Sequence, residues 1–318
     1  MHDYFSDIET QLLFAEEPLA HFGYVPSPMN YIGGKYKVLP QILPLFPKNI
    51  ETFVDLFCGG CNVGINVDAK HIIFNDNLTF LIDLYKSFQQ LSNEKVFEHI
   101  ENQIRRFSLS LTNEAGYKQL RTLYNTDRNP LDLFVLVAYS FNHQIRFNNS
   151  HEFNNPFGRD RSSFNPKMQS NLNHFLDILH AKNIEFTNKN FDDFNFEPLT
   201  ENDFVYCDPP YLITTGTYND GKRGFTGWSE KEEKKLLILL SNLNERNIKF
   251  GLSNVLVHKG KTNAILLEWV QEKNFCVTHI NKNYSNSNYH TIDRDTNATD
   301  EVLITNYVPV KPQLTLDF

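Results

Sequence analysis

The chain contains 318 residues, 41% of them hydrophobic and 14% aromatic, with 30 Lys or Arg against 38 Asp or Glu and a net charge of −8. This length and apolar content predict one large α/β domain with an insert, or two domains, around a real hydrophobic core. No stretch reaches the roughly 18 apolar residues of a membrane span, and the N-terminus lacks a signal pattern, so we expect a soluble, cytoplasmic protein without a membrane partner.

The charge is unevenly distributed along the chain. An acidic protein argues mildly against DNA binding, because DNA-binding domains are usually basic. Residues 105–190, however, carry 11 Lys or Arg and 7 Asp or Glu, a net +4, which leaves −12 for the remainder. A locally basic segment on an acidic body is compatible with DNA binding through one face.

Residues 1–28 are predicted to be an N-terminal extension outside the core, because they are acidic and end in Pro26-Ser27-Pro28. The segment Tyr31-Ile32-Gly33-Gly34-Lys35 follows. A Gly pair beside Lys is able to hold a phosphate, but the spacing G-x-x-x-x-G-K-[ST] is absent, so no Walker ATP site is expected.

The first strand is predicted at Thr52–Phe57, a short apolar run that carries Asp55. The turn Cys58-Gly59-Gly60-Cys61 follows, and its glycines let the backbone approach a ligand closely. The spacing differs from G-x-G-x-x-G, which disfavours a hydride-transfer cofactor; a simple tight turn is the alternative. The C-x-x-C pair has no second pair at zinc spacing, so we expect buried, reduced cysteines rather than a redox or metal site.

The next strand is predicted at His71–Phe74, followed by Asp76 and a helix over Leu78–Leu91. Asp76 lies 17 residues after Gly59, close to the interval at which an acidic residue binds ribose hydroxyls after a Gly-rich turn. Capping of the helix N-terminus is the alternative role for this carboxylate.

Residues 92–190 interrupt the alternation of strands and helices and are predicted to form a mainly helical insert. Within this insert, His143–Pro166 is a loop rich in Asn, Phe and Arg, whose side chains bind phosphates, read base edges or stack. A polar surface loop without a ligand is the alternative. The candidate DNA-binding residues in this loop are Arg146, Asn148, Asn154, Arg159 and Arg161.

The alternation returns with a strand over Asp203–Cys207 and a helix over Ser229–Asn244, for which Ser229 and Glu232 predict a capping box. Further strands are predicted at Lys249–Ser253, Phe275–Ile280 and Val302–Tyr307. Strands alternating with helices predict the α/β class with a doubly wound, mostly parallel sheet. Ligands of such sheets bind at the carboxyl ends of the strands, where Gly59, Asp76 and Asp208 are expected to meet.

Asp208-Pro209-Pro210-Tyr211 directly follows the strand over Asp203–Cys207. Two prolines end a strand abruptly and fix the backbone, so the carboxylate and the neighbouring carbonyls project as a rigid set of acceptors beside an aromatic ring. Acceptors next to a stacking surface suit an amino group on a flat ring. A solvent-exposed turn with a capping Asp is the alternative.

In their order along residues 29–308, these motifs resemble the Dam-type family of DNA adenine-N6 methyltransferases, in the α arrangement of amino-methyltransferases. The similarity lies in Tyr31–Lys35, Asp55–Gly60, Asp76, the segment Ile145–Gly158 and Asp208–Tyr211. Glu301–Tyr307 resembles the final strand of the family. Cys61 departs from the family pattern, which often has glycine at that position.

The resemblance implies an S-adenosylmethionine-dependent methyltransferase fold, with residues 29–91 and 191–318 forming the catalytic domain and 92–190 a target-recognition insert. It implies methyl transfer from S-adenosylmethionine to the N6 of a flipped-out adenine in double-stranded DNA, without a metal. A cognate restriction endonuclease acting separately is a possible partner. The implied catalytic residues are Asp208, Pro209, Pro210 and Tyr211. The implied cofactor-binding residues are Tyr31, Lys35, Asp55, Phe57, Gly59, Asp76, Asp193 and Asp208. For the contact with the cofactor adenine, Asp192 and Asn190 are alternatives to Asp193.

Two other functions remain open at this point. An amino-methyltransferase acting on RNA or protein glutamine often has Asn where this chain has Asp208. A catalytically silent DNA-binding relative is disfavoured by the intact Lys35, Asp76 and Asp208.

Overall fold

A computed structural model describes residues 23–31, 33–214, 228–280 and 299–310. Within them one sheet runs through the molecule in the order β3-β2-β1-β4-β5-β8-β7, and the short β6 pairs with β5. The strands are β1 (Ile50–Asp55), β2 (Ala69–Asn75), β3 (Ile184–Thr187), β4 (Phe204–Cys207), β5 (Lys249–His258), β6 (Lys261–Thr262), β7 (Cys276–Ile280) and β8 (Thr299–Thr305).

The first five strands in this order are parallel to their neighbours, whereas β8 lies antiparallel between β5 and β7. The predicted mostly parallel α/β sheet is confirmed. All four residues of β4 and the last three of β1 are buried, which explains why the sequence there does not alternate between apolar and polar residues.

Helices cover both faces of the sheet. The α-helices are α1 (Leu39–Ile42), α2 (Thr79–Gln90), α3 (Asn93–Arg106), α4 (Glu114–Asp127), α5 (Pro130–Tyr139), α6 (Pro166–Ala181), α7 (Glu230–Glu245) and α8 (Ala264–Lys273). Short 3-10 helices occur at Tyr36–Val38, Leu43–Leu45, Gly64–Asn66, Phe141–His143 and Phe191–Asp193. None of the helices in the described part of the chain is both long and apolar enough to cross a membrane.

The predicted capping box of α7 is confirmed. The Ser229 hydroxyl accepts from the Lys231 N–H at 3.2 Å, and the Glu232 carboxylate accepts from the Ser229 N–H at 3.2 Å. These bonds satisfy N–H groups that a helix otherwise leaves without partners. The side chains of Leu236 and Leu240 then pack on one face of the sheet with Trp269 of α8.

The other face carries α2 to α6. The Tyr85 ring of α2 stacks on Phe186 of β3 at 5.5 Å, and Phe88 meets Phe134 of α5 edge-on at 5.6 Å. Helices α3 to α6 therefore share one continuous hydrophobic core with the sheet instead of forming a core of their own. The division of the chain into a catalytic domain and an insert stays a prediction.

Two of the predicted boundaries disagree with these contacts. Sequence analysis assigns Ile184–Thr187 to the insert, but this segment is β3 and pairs in parallel with β2 at the edge of the sheet. It also assigns residues up to 28 to an extension, but Val25 is buried and exchanges hydrogen bonds with Asn66 at 2.7 and 2.9 Å. Ile184–Thr187 and residues 23–28 belong to the core, because their backbone groups find partners there. Residues 1–22 of the predicted extension lie outside the described residues.

Candidate active site

A pocket opens at the carboxyl ends of β1 and β4. The residues Asp55, Asp76 and Asp208 end or directly follow the adjacent strands β1, β2 and β4, as the predicted topology requires. The pocket is lined by Tyr31, Gly33, Gly34, Lys35, Asp55, Phe57, Cys58, Gly59, Gly60, Asn62, Val63, Tyr206 and Asp208.

Asp55 is a buried carboxyl group on the floor of this pocket. Burial raises its pKa to about 8, and the nearby Asp208 and Asp76 add to the rise. The Gly64 N–H, which donates to Asp55 Oδ2 at 3.1 Å, and the Lys35 ammonium oppose it. In the absence of a bound cation this carboxyl group therefore retains its proton at neutral pH.

The turn after β1 has a left-handed backbone at two positions. Gly59 has φ +45°, a conformation that favours glycine, and a Cβ there would lie 2.8 Å from the Tyr31 ring, which would have to shift. Cys61 has φ +59°, at a position where the family often has glycine. This left-handed conformation costs a non-glycine residue on the order of 1 kcal/mol. The buried side chain of Cys61 packs in the core, which explains how a non-glycine residue is tolerated there.

The thiols of Cys58 and Cys61 are both buried, and burial raises their pKa values above the ordinary range. Such thiols stay protonated and poorly reactive. No group of three or more His, Cys, Asp or Glu residues in the described ranges is arranged to hold a metal.

Asp76, which follows the neighbouring strand β2, stabilises the turn after β1. Its Oδ2 accepts from the Gly59 N–H at 3.0 Å, and its Oδ1 accepts from the Leu78 N–H at 2.9 Å. Leu78 is the N-cap of α2 and makes no side-chain capping bond, so Asp76 supports the start of the helix from two residues upstream. Burial raises the pKa of Asp76, and these backbone N–H groups oppose the rise.

Four side chains meet at the start of the Asp208–Tyr211 segment. The Lys35 Nζ lies 2.8 Å from Asp208 Oδ2 and 5.1 Å from the centre of the Tyr211 ring. The Tyr211 hydroxyl lies 3.0 Å from Asp208 Oδ1 and 3.2 Å from Glu301 Oε1. Burial raises the pKa of Asp208, while the Lys35 ammonium and the Tyr211 hydroxyl oppose the rise.

Glu301 is a member of this cluster that sequence analysis did not select. It lies on β8, is 3% exposed, and its Oε1 is 3.5 Å from Lys35 Nζ. The sequence does contain a signal, because a charged residue inside an apolar strand is rarely buried unless it is paired.

The residues proposed for the cofactor adenine lie elsewhere. Asp193 and Asn190 are exposed, and neither lines the pocket. The Asp192 carboxylate is 2.6 Å from Lys235 Nζ on α7, and this pairing lowers its pKa. A role for Asp193 therefore stays a prediction.

The candidate DNA-binding loop forms a hairpin. Phe147 and Phe153 form a bridge and are buried, whereas their neighbours Arg146 and Asn154 are half-exposed and joined by a 2.9 Å bond from the Asn154 N–H to the Arg146 carbonyl. Within the described residues, Arg146 Nε and Asn154 Oδ1 are buried atoms without a hydrogen-bond partner. The hairpin packs on α2, where Phe80 stacks on Phe147 at 4.5 Å.

The other three candidates have internal contacts. Asn148 shapes the hairpin turn, since its Oδ1 accepts from the N–H groups of Ser150 and Glu152. Arg159 pairs with Glu114 at 2.9 Å on the surface. Arg161 lies over the exposed ring of Phe141 at 5.0 Å.

The comparison with known families identifies the family of this chain. The family model of the D12 class N6 adenine-specific DNA methyltransferases matches residues 31–294, most of the chain. The chain belongs to this family. The order of the sheet, with an antiparallel strand inserted beside β5, is consistent with the S-adenosylmethionine-dependent methyltransferase fold.

Among curated proteins, the chain is 51% identical over 284 residues to the Type II methyltransferase M.FokI of Planomicrobium okeanokoites and 53% identical over 284 residues to the modification methylase StsI of Streptococcus sanguinis. Each match covers 89% of this chain but 43% of the relative, so the chain spans less than half the length of these proteins. A DNA adenine methylase of Salmonella typhi is 29% identical over 264 residues, covering 81% of this chain and 89% of that protein.

Proposed function

We propose that this protein transfers a methyl group from S-adenosylmethionine to the N6 of an adenine in double-stranded DNA. The observation that carries the proposal is the position of Asp208, directly after β4 at the pocket, followed in sequence by Pro209 and Pro210 and hydrogen-bonded to the Tyr211 hydroxyl. Acceptors held rigidly next to an aromatic surface fit an amino group on a planar base.

The residues of the pocket fit S-adenosylmethionine. Asp55 offers a carboxyl group to the methionine ammonium, and Lys35 offers an ammonium towards the methionine carboxylate. Asp76 does not line the pocket, but it holds the Gly59 N–H at the pocket wall and has lone pairs left for the ribose hydroxyls, because each carboxylate oxygen has two. Gly59 lets the backbone lie close to the bound molecule. When bound, this cofactor supplies an electrophilic methyl group.

The task of the protein is then to make the adenine amino nitrogen a better nucleophile. Conjugation with the ring ties up its lone pair. Hydrogen bonds from the amino group to the Asp208 carboxylate and the Pro209 carbonyl draw the nitrogen towards tetrahedral geometry and free that pair. Holding the reacting atoms in line contributes up to about 7–11 kcal/mol in favourable cases.

The target adenine must leave the duplex to reach this pocket, at a cost of a few kcal/mol, and Tyr211 is positioned to stack on it. We assign the reading of the DNA sequence to the hairpin with Arg146 and Asn154. The polar atoms of these residues that have no partner within the described residues support a ligand at this place, because buried polar groups are normally paired. Asn148, Arg159 and Arg161 are assigned to its support and to phosphate contacts.

We expect Arg146→Ala to weaken binding of the target duplex by about 1–3 kcal/mol and to relax the preference at one base pair, since an Arg that reads a base edge contributes about that much. Fluorescence anisotropy at a fixed salt concentration measures both effects. Arg105→Ala is the matched control, because Arg105 is an exposed Arg of α3 whose nearest charged group is Glu101. Equal losses in the two variants would show that only general charge is involved.

The function is tested by expressing the protein in a host without DNA methylation and mapping N6-methyladenine along the genome. We expect methylation of adenines in one short sequence. A tritium-transfer assay on duplex DNA, RNA and protein separates the rival substrates, and a catalytically silent relative transfers no label to any of them.

We further propose that a separate restriction endonuclease cleaves the same DNA sequence in the cytoplasm. DNA that this protein has methylated should resist that cleavage.

A further inference from the structure

Both carboxylate oxygens of Asp208 contact donors of the protein. Oδ2 contacts Lys35 Nζ at 2.8 Å and Oδ1 contacts the Tyr211 hydroxyl at 3.0 Å. In the proposed function the adenine amino group needs this same carboxylate as its acceptor. The amino group is then a third donor at this carboxylate, and the two donors that already face Asp208 weaken it as an acceptor, because they share its negative charge.

Glu301 presents a second carboxylate to the same two donors. Its Oε1 is 3.2 Å from the Tyr211 hydroxyl and 3.5 Å from Lys35 Nζ, slightly longer than the corresponding distances to Asp208. A phenol has a single proton and donates it to one acceptor at a time. The hydroxyl of Tyr211 is consequently within hydrogen-bonding distance of both carboxylates and donates to one of them at a time.

We propose that Glu301 is a positioning residue that accepts the hydrogen bonds of Tyr211 and Lys35 when the target amino group binds Asp208. The inference rests on the proposed function, because the exchange takes place when the amino group arrives at Asp208. The exchange forms and breaks hydrogen bonds only. Lys35 keeps the Gly33 carbonyl as an acceptor at 3.1 Å, and Glu301, which is 3% exposed, supplies the negative charge that balances the Lys35 ammonium, which is 6% exposed.

The exchange also keeps the Tyr211 ring in place. If the hydroxyl turned from Asp208 to an acceptor on another element, the ring that stacks on the base would move with it. Glu301 lies within reach of the hydroxyl in its present position, so the proton changes partner while the ring stays still. Loss of Glu301 should therefore slow methyl transfer more than it weakens binding.

The test is Glu301→Gln in the full chain, assayed on the duplex sequence that the genome mapping identifies. We expect single-turnover methyl transfer to fall about 10- to 100-fold, the usual cost of misplaced reacting groups, with S-adenosylmethionine affinity unchanged. Asp300→Asn is the matched control: the neighbouring residue of β8 pairs with His279 away from the site and should leave the rate unchanged. 2-Aminopurine fluorescence at the target base reports whether flipping is retained, as we expect.

A double-mutant cycle with Tyr211→Phe separates this role from simple structural support. The Phe variant keeps the ring but lacks the proton, so Glu301→Gln should cost less in that background. Additive effects, or a Glu301→Gln rate equal to that of the unchanged chain, would overturn the inference. If the Glu301→Gln protein does not fold, Tyr211→Phe alone tests the exchange, and an unchanged rate there also overturns it. Absence of DNA methylation by the unchanged chain would instead refute the proposed function, and this inference with it.

Discussion

Replacement of Asp208 by Ala is expected to abolish methyl transfer while the protein stays folded. The variant loses the acceptor that draws the adenine amino nitrogen towards tetrahedral geometry, and Lys35 and Tyr211 keep Glu301 as their acceptor. Removal of a single stabilising group of an active site commonly costs about 10²–10³ in rate, and here the chemical centre itself is removed. Tritium transfer to duplex DNA measures the loss.

Thermal unfolding and calorimetric binding of S-adenosylmethionine are the controls for this variant. A folded Asp208→Ala protein that still binds the cofactor and methylates DNA at a rate near that of the unchanged chain would contradict the mechanism.

The pH dependence of the methyl-transfer rate in the unchanged chain offers an independent check. Because burial raises the pKa of Asp208, its acceptor function should be lost on acidification at a higher pH than for an ordinary aspartate.

Replacement of Asp55 by Asn is expected to weaken S-adenosylmethionine binding by about 100-fold or more, since removing one partner of a buried ion pair costs about 3–5 kcal/mol. In the unchanged protein, with the pKa of Asp55 at about 8, the methionine ammonium must displace a proton at neutral pH. Binding enthalpies measured at pH 7 in buffers of different ionisation enthalpy should reveal release of about one proton, and the Asn variant should release none.

The same substitution should have the opposite effect on stability. The pKa of Asp55 in the folded state, about 8, lies above its ordinary value of 3.8, so its contribution to stability is present at acid pH and is lost as the pH rises through 8. The melting temperature of the Asn variant, relative to that of the unchanged chain, should therefore rise between pH 4 and pH 8. A difference independent of pH would show that Asp55 is ionised in the free protein.

The parts of the site that could be predicted from sequence are those formed by local sequence. Asp55 and Asp208 end or follow buried strands, and the glycine turn lies between them in the order that the family requires. Parallel strands then place their carboxyl ends at one edge, so a topological argument is sufficient to bring these residues together.

The remaining features depend on distant contacts. β3 has four residues and follows a helix, so its pattern is too short to separate from the insert, and its pairing with β2 is what makes it a strand. Residues 23–28 have the sequence of an extension, and only the hydrogen bonds between their backbone and the side chains of Asn62 and Asn66 show that they belong to the core. Glu301 is separated from Asp208 by more than 90 positions, and their proximity follows only from the insertion of β8 beside β5.

The placement of β8 also has a consequence for biosynthesis. During translation, Lys35 and Asp208 leave the ribosome long before Glu301. The strand β8 then pairs between β5 and β7, which both precede it in the chain. A nascent chain that has not yet exposed β8 lacks both the central antiparallel strand and the second carboxylate of the catalytic cluster. On the proposal made for Glu301, a fragment that ends before β8 lacks the residue that positions Tyr211, so premature termination before β8 should yield fragments that methylate DNA less efficiently.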